Sequence, residues 1–216
     1  YFRMFHDTPP TTMAQYPDGT YGWSRNNHNP LAYAREWGRV DDRTLFGRIS
    51  GKADYQLLEG LAIRTLVSGQ ADNWNRKNWR NQATFRDYFT GAVERSIDTN
   101  FLDRRKSTET EVYLRGLLDY AREFGPHALT AMAGYDQTQH NWDEIRADRT
   151  VFYNNQLQEI NAGDESREGT FGTSEEWALR SGFGRLSYGF DQRYLLQLNA
   201  RYDGSSRFAE GNRYGF

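Results

Sequence analysis

The residues able to do chemistry are scattered rather than grouped. The four histidines, His6, His28, His127 and His140, share no spacing, and cysteine is absent. Thiolate metal sites and a disulfide framework are therefore excluded, and surface or turn histidines are expected rather than a metal centre. There is no Gly-x-Ser-x-Gly elbow, no phosphate-binding glycine loop and no His-Glu-x-x-His. Gly182-Phe183-Gly184 suits close packing or a bulge in a strand better than a phosphate cradle. Two carboxylate pairs, Asp41-Asp42 and Glu175-Glu176, have the composition needed for glycoside hydrolysis. Among 29 acidic residues such pairs arise by chance. No catalytic residue, metal ligand or cofactor is expected, and the chain is not read as an enzyme. The remaining candidates are binding groups. Trp74, Trp79 and Trp142 offer flat apolar rings with a polar edge, suited to sugar faces or peptide side chains, and equally to packing loops together. Arg48, Lys52, Arg64, Arg115 and Arg201, with Asp54 and Asp119, would form a wet charged wall that touches cargo or pairs within itself.

The elements that carry these groups show a period of two. From Tyr194 to Tyr202 the even positions are Tyr, Leu, Leu, Ala and Tyr, while the odd ones include Gln197, Asn199 and Arg201. Such alternation places one greasy and one wet face on a single strand. Similar patterns run from Leu45 to Leu57, Leu61 to Gln70, Val112 to Glu123, Ala128 to Gln139 and Trp177 to Phe190. The strands are expected to span about 10–13 residues, enough to cross a bilayer at a tilt. Connections alternate short (Leu58-Glu59-Gly60; Phe124-Gly125-Pro126-His127; Asp191-Gln192-Arg193) and long. One rim of tight turns and one of long loops is the habit of outer-membrane barrels. The expected division is a loop over 1–43, hairpins over 44–71, 111–139 and 177–203, and extracellular loops over 72–110 and 140–176. Trp177, Tyr120, Tyr135, Tyr188 and Tyr202 are expected as interface anchors. The run Asp103-Arg104-Arg105-Lys106 reads as a solvated loop face, and Asp203-Gly204 as a turn.

Composition sets the boundaries. Mean hydropathy is -0.91, polar for a compact core, yet 15% of residues are aromatic. That combination suits a barrel with a wet lumen, and also a soluble β-sandwich that binds sugars. A net charge of -2 gives no basic field for nucleic acid. No apolar run approaches the ~18–20 residues of a spanning helix, so any crossing must use strands. The first residues, from Tyr1, show no signal-peptide pattern.

Several segments resemble the SusC/RagA family of TonB-dependent outer-membrane transporters. They are Phe183-Gly184-Arg185-Leu186-Ser187-Tyr188, Arg193-Tyr194-Leu195-Leu196, Asp203-Gly204-Ser205-Ser206-Arg207-Phe208 and Gly211-Asn212-Arg213-Tyr214-Gly215-Phe216. Weaker matches in the same order are Tyr16-Pro17-Asp18-Gly19, Asn29-Pro30-Leu31, Leu57-Leu58-Glu59-Gly60-Leu61 and His127-Ala128-Leu129 with Ala133-Gly134-Tyr135. The resemblance implies an all-β fold, a transmembrane antiparallel barrel of 22 strands, of which this chain carries about six or seven. It also implies a plug and a TonB-contacting segment, both expected to lie outside this chain. A SusD-like surface lipoprotein as lid, oligosaccharide or peptide cargo, outer-membrane lipid as surroundings and TonB as energy source follow from the same resemblance. Two other classes stay open: a soluble β-sandwich that binds or degrades glycans, whose apolar faces would pack on another sheet, and a passive pore or adhesin without a plug.

Overall fold

The computed structural model describes residues 6–23, 29–87, 89–97 and 99–215. His28, Tyr88 and Phe216 lie outside them. The elements in chain order are β1 (Tyr21–Trp23), α1 (Pro30–Arg35), β2 (Arg39–Leu58), β3 (Leu61–Arg80), β4 (Ala83–Asp87), β5 (Val93–Ile97), β6 (Phe101–Phe124), β7 (His127–Thr150), β8 (Glu168–Phe190), β9 (Tyr194–Ser205) and β10 (Tyr214–Gly215). Seven of them form one sheet, ordered β10-β9-β8-β7-β6-β3-β2, and β1-β4-β5 form a second of three strands.

The register shows how period two becomes two faces. Across β8 and β9, Leu186 faces Leu198, Tyr188 faces Leu196 and Phe190 faces Tyr194. The alternate rows pair Ser181 with Asp203, Phe183 with Arg201 and Arg185 with Asn199. The apolar face is bare in this chain, with Ile49 79% and Leu45 72% exposed. Covering one such side chain with hydrocarbon contributes about 1.5–3 kcal/mol.

Strand bounds differ from the sequence expectation. β6 and β7 are 24 residues each and β8 is 23, about twice the length expected from alternation. Much of the expected loops 72–110 and 140–176 is therefore strand. In these added halves few apolar residues recur at period two, so no alternation marks them. The segment 1–43 likewise holds β1, α1 and the start of β2. β9 continues through Asp203 and Gly204 to Ser205 instead of turning. Gly204 serves close approach there, since a Cβ would meet the Tyr214 ring at 2.3 Å.

The chain divides into two compact units. The first comprises Tyr1–Thr44, Trp74–Ser107 and Glu144–Gly172. One of its cores joins Tyr21, Ala32 and Phe85; another joins Trp79, Leu102 and Phe152. Each is organised by a buried asparagine. Asn29 caps α1 through Ala32 N–H (3.1 Å), and its amide donates to the carbonyls of Met13, Ala14 and Gly22. Asn100 accepts from Phe152 N–H (2.6 Å) and donates to Phe152 O, Asn154 O and Asn155 Oδ1. The second unit comprises Leu45–Asn73, Thr108–Asp143 and Thr173–Phe216, and holds the apolar band and the short turns.

Two outcomes test these contacts. Gly60 sits at φ 78, and a Cβ there would lie 2.2 Å from the Ala121 carbonyl oxygen. Gly60→Ala should cost about 1–3 kcal/mol, read as loss of the folded, heat-modifiable band of the intact protein; an unchanged folded yield refutes the turn. Burial, and then the Glu36 carboxylate that accepts its proton, push the Tyr21 phenol from 10.0 up to about 12. The folded chain keeps this proton where the unfolded chain has released it. Its stabilisation is whole below pH 10.0 and lost as pH rises through about 12. A tyrosinate difference titration of the parent against Tyr21→Phe should show the missing phenol ionising near 12; a step near 10.0 contradicts the packing.

Candidate functional site

The polar face of the second unit gathers the charged residues picked out in the sequence, and pairs them. Arg64 meets Asp119 at 3.4 Å and Lys52 meets Asp54 at 3.1 Å. Arg115 pairs with Asp136, through Nε at 2.7 Å and a second nitrogen at 3.1 Å, and Tyr113 donates to the same carboxylate. Arg201 bonds Asp203 (2.7 Å) and the Ser181 hydroxyl (3.0 Å), and Arg48 donates to Gln70. Asp136 was not singled out in the sequence, although cross-strand pairing with an unlike charge is an ordinary role for it; Asp203, read there as a turn residue of the signature, pairs along its own strand. Most of these charges meet an opposite one, while Arg48 and Arg185 meet neutral amides, so the face is not a field of one sign.

Period two also dissolves the carboxylate pairs. Neighbouring residues in a strand point to opposite faces. Asp41 pairs with Arg39 and Asp42 with Arg76; Glu175 pairs with Arg207, while Glu176 accepts from Gln139. Neither pair forms an acid–base couple. Among the described residues no group of three His, Asp or Glu side chains could hold a metal ion.

The tryptophans separate by environment. Trp79 is 2% exposed and packs edge-on against Phe152 at 4.9 Å. It is core of the first unit, so its candidacy for cargo contact is withdrawn: no ligand reaches a ring enclosed on all sides. Trp74 and Trp142 are half-buried. Trp74 lies two residues from both Asp72 and Arg76, and Trp142 two from His140, which places both on the polar face. Trp177 is not an apolar-face anchor. Its face is that of Glu175 and Ser181, where His140 stacks on it at 4.7 Å and Arg207 lies over it at 4.7 Å. Glu109 stands 3.7 Å from the His140 imidazole. Tyr120, Tyr135, Tyr188 and Tyr202 do lie on the apolar face. With them is His127, which hydrogen-bonds Tyr188 at 2.7 Å and stacks on Phe124 beside a short turn. The tyrosines are those the sequence offers as anchors; His127 and Phe124 carry no such signal.

The signature stretch closes one end of this face. Asp203 accepts from Arg201, Ser205 N–H donates to Arg213 O, and Ser206 bonds Ala178 through both its N–H and its hydroxyl. Arg207 grips Trp177 and Glu175, and Phe208 is exposed. These residues hold β8, β9 and β10 together.

No protein-family model matches the chain. TonB-dependent receptor P39 of Formosa agariphila is 28% identical over 222 residues, covering 99% of this chain and 20% of that protein. TonB-dependent receptor P3 of the same organism is 28% identical over 92% of the chain and 19% of its own length. The chain is similar to TonB-dependent receptors along nearly its whole length. It spans about a fifth of the length of these relatives. Solved structures of the RagAB peptide transporter and of the RagAB peptide importer in a closed-closed state share its fold, with TM-scores of 0.74 and 0.75 over 88% of the chain, at 20% identity. The fold is thus all-β and shared with the barrel of those structures, and among the described residues the apolar faces are not packed against a second sheet of the same unit. These relatives are receptors and transporters by name, not enzymes.

Trp79→Ala should open a cavity in the loop core and cost about 3–5 kcal/mol of local stability. Limited proteolysis of the intact protein should then cut faster within 150–167, with the rest of the barrel unaltered; unchanged cleavage would place Trp79 outside that core.

Proposed function

We propose that this chain is part of the wall of an outer-membrane importer powered through TonB. The observation that carries the proposal is the bare apolar band. On β2, β6, β7, β8 and β9 it is roughly 9–13 residues long, the length a tilted strand needs to cross hydrocarbon. Opposite it lies a wet face of paired charges, as a solvated conduit requires. The short turns then face the periplasm and the long connections face outward. Cargo, oligosaccharide or peptide, is captured among those outer connections beneath a SusD-like lipoprotein, with Trp74 and Trp142 as contact candidates on the polar face. A plug, pulled by TonB, opens the path. Similarity to receptors named for TonB dependence, and to the fold of a peptide importer, supports this assignment.

In cells bearing the intact protein, fractionation should place it in the outer membrane, released by detergent alone, and uptake of oligosaccharide or peptide should stop when TonB is removed. Release into aqueous buffer would overturn the membrane assignment. Uptake that persists without TonB would make the protein a passive pore.

A further inference from the structure

Val151, just past the end of β7, holds a φ of 60, a left-handed conformation in which a β-branched side chain is crowded. Such a residue persists only where its surroundings fix it, and here they do. Its N–H donates to Asn100 O at 3.2 Å, and the Phe152 N–H to the Asn100 side-chain oxygen at 2.6 Å. Phe152 is buried against Trp79. Tyr153, the next residue, is 95% exposed.

The rest of the connection is tied as closely. Asn154 Oδ1 accepts from the N–H groups of Gln156 (2.8 Å) and Leu157 (2.9 Å). Asn155 Oδ1 takes the Asn100 amide and the Gln82 N–H, each at 3.2 Å, and Gln158 donates to Asn155 O at 3.1 Å. At the base, Asp164 N–H donates to Thr150 O, and Arg149 joins Gly163 O to Glu168. All of these residues belong to the first compact unit.

A backbone fixed at so many points presents its exposed groups in one arrangement, and those groups have one character. From Val151 to Gln158 there is no charged residue, in a chain where 26% are charged. Val151 and Leu157 are exposed along with Tyr153. A sugar site needs polar side chains free to meet hydroxyls, whereas the oxygens of Asn154 and Asn155 and the amides of Asn100 and Gln158 are engaged by the loop itself. An uncharged surface centred on an aromatic ring is the composition of the core of a protein interface. Tyrosine offers a large contact area with only two side-chain torsions, and a backbone already held in place loses little freedom on docking.

We propose that Tyr153 is the anchor by which this connection docks a protein partner, the surface lipoprotein over the outer connections, its ring entering an uncharged apolar cleft on that partner. The proposal rests on the functional reading above, in which the connection between β7 and β8 faces outward beneath a lid.

The test uses the intact protein, purified in mild detergent with the lipoprotein bound to it, and measures the affinity of the separated and recombined pair by surface plasmon resonance. Tyr153→Ala should weaken the pair at least about tenfold, chiefly through faster dissociation, and Tyr153→Phe by less than about threefold. Both variants are first checked for the folded, heat-modifiable band. Tyr153→Cys, in a chain without cysteine, should react with a bulky maleimide in the intact protein alone, read against the parent as blank, and be protected in the pair. Equal binding by folded Tyr153→Ala overturns the proposal. So does a Tyr153→Cys variant protected without the lipoprotein, because the rest of the polypeptide then covers the site. A Tyr153→Ala protein that binds the lipoprotein as the parent does but loses uptake of peptide or oligosaccharide makes the residue a cargo contact and overturns the partner assignment. A parent that binds no lipoprotein refutes the lid in the functional reading, whereas a lipoprotein bound equally by parent and variant refutes the anchor alone.

Discussion

The backbone of a strand in hydrocarbon must satisfy every N–H and C=O within its ladder, and can offer lipid only every second side chain. The main sheet has the alternation that such a constraint demands. Leucine, tyrosine, phenylalanine and alanine occupy one set of positions along the paired stretch of β8 and β9, and serine, arginine, asparagine and aspartate recur in the other. The wet face then solves its own problem by pairing unlike charges across strands, as Arg115 does with Asp136. Exposed pairs of this kind contribute little stability; their larger effect is to leave this face without a strong field of one sign.

The same constraint explains what could be read from sequence and what could not. Alternation reports a boundary between two environments, not a strand as such. Inside the band the boundary exists, and Leu45 to Leu57 or Tyr194 to Tyr202 announces itself. Beyond the band no face is apolar along its length, and the buried Trp79 and Leu102 answer to the loop core instead, so Asn73 to Arg80 and Phe101 to Glu111 carry no period, although they are strand of the same ladder. Trp177 was misassigned because an aromatic near a strand end suits either face, and only its register with Glu175 and Ser181 decides. Trp79 gave no sign of being core, since its partners Leu102 and Phe152 are distant in sequence.

The loop unit uses a different device. Its hydrophobic clusters are small, and two buried amides, Asn29 and Asn100, tie chain segments that no ladder joins. A side-chain amide has two donors and an acceptor with two lone pairs, enough to satisfy several stray backbone groups at once. Losing one would strand those groups in a dry interior at about 1–3 kcal/mol each. Such a unit gives outer connections a fixed shape without needing a large core.

The sheet ends at β2 on one side and β10 on the other. Along β2 nearly every residue is open to solvent, and the strand's far side presents a row of ladder groups with no mate among the described residues. In acyl chains each unmated group costs several kcal/mol. A sheet edge of this kind is therefore at home in hydrocarbon only where a further strand completes its ladder.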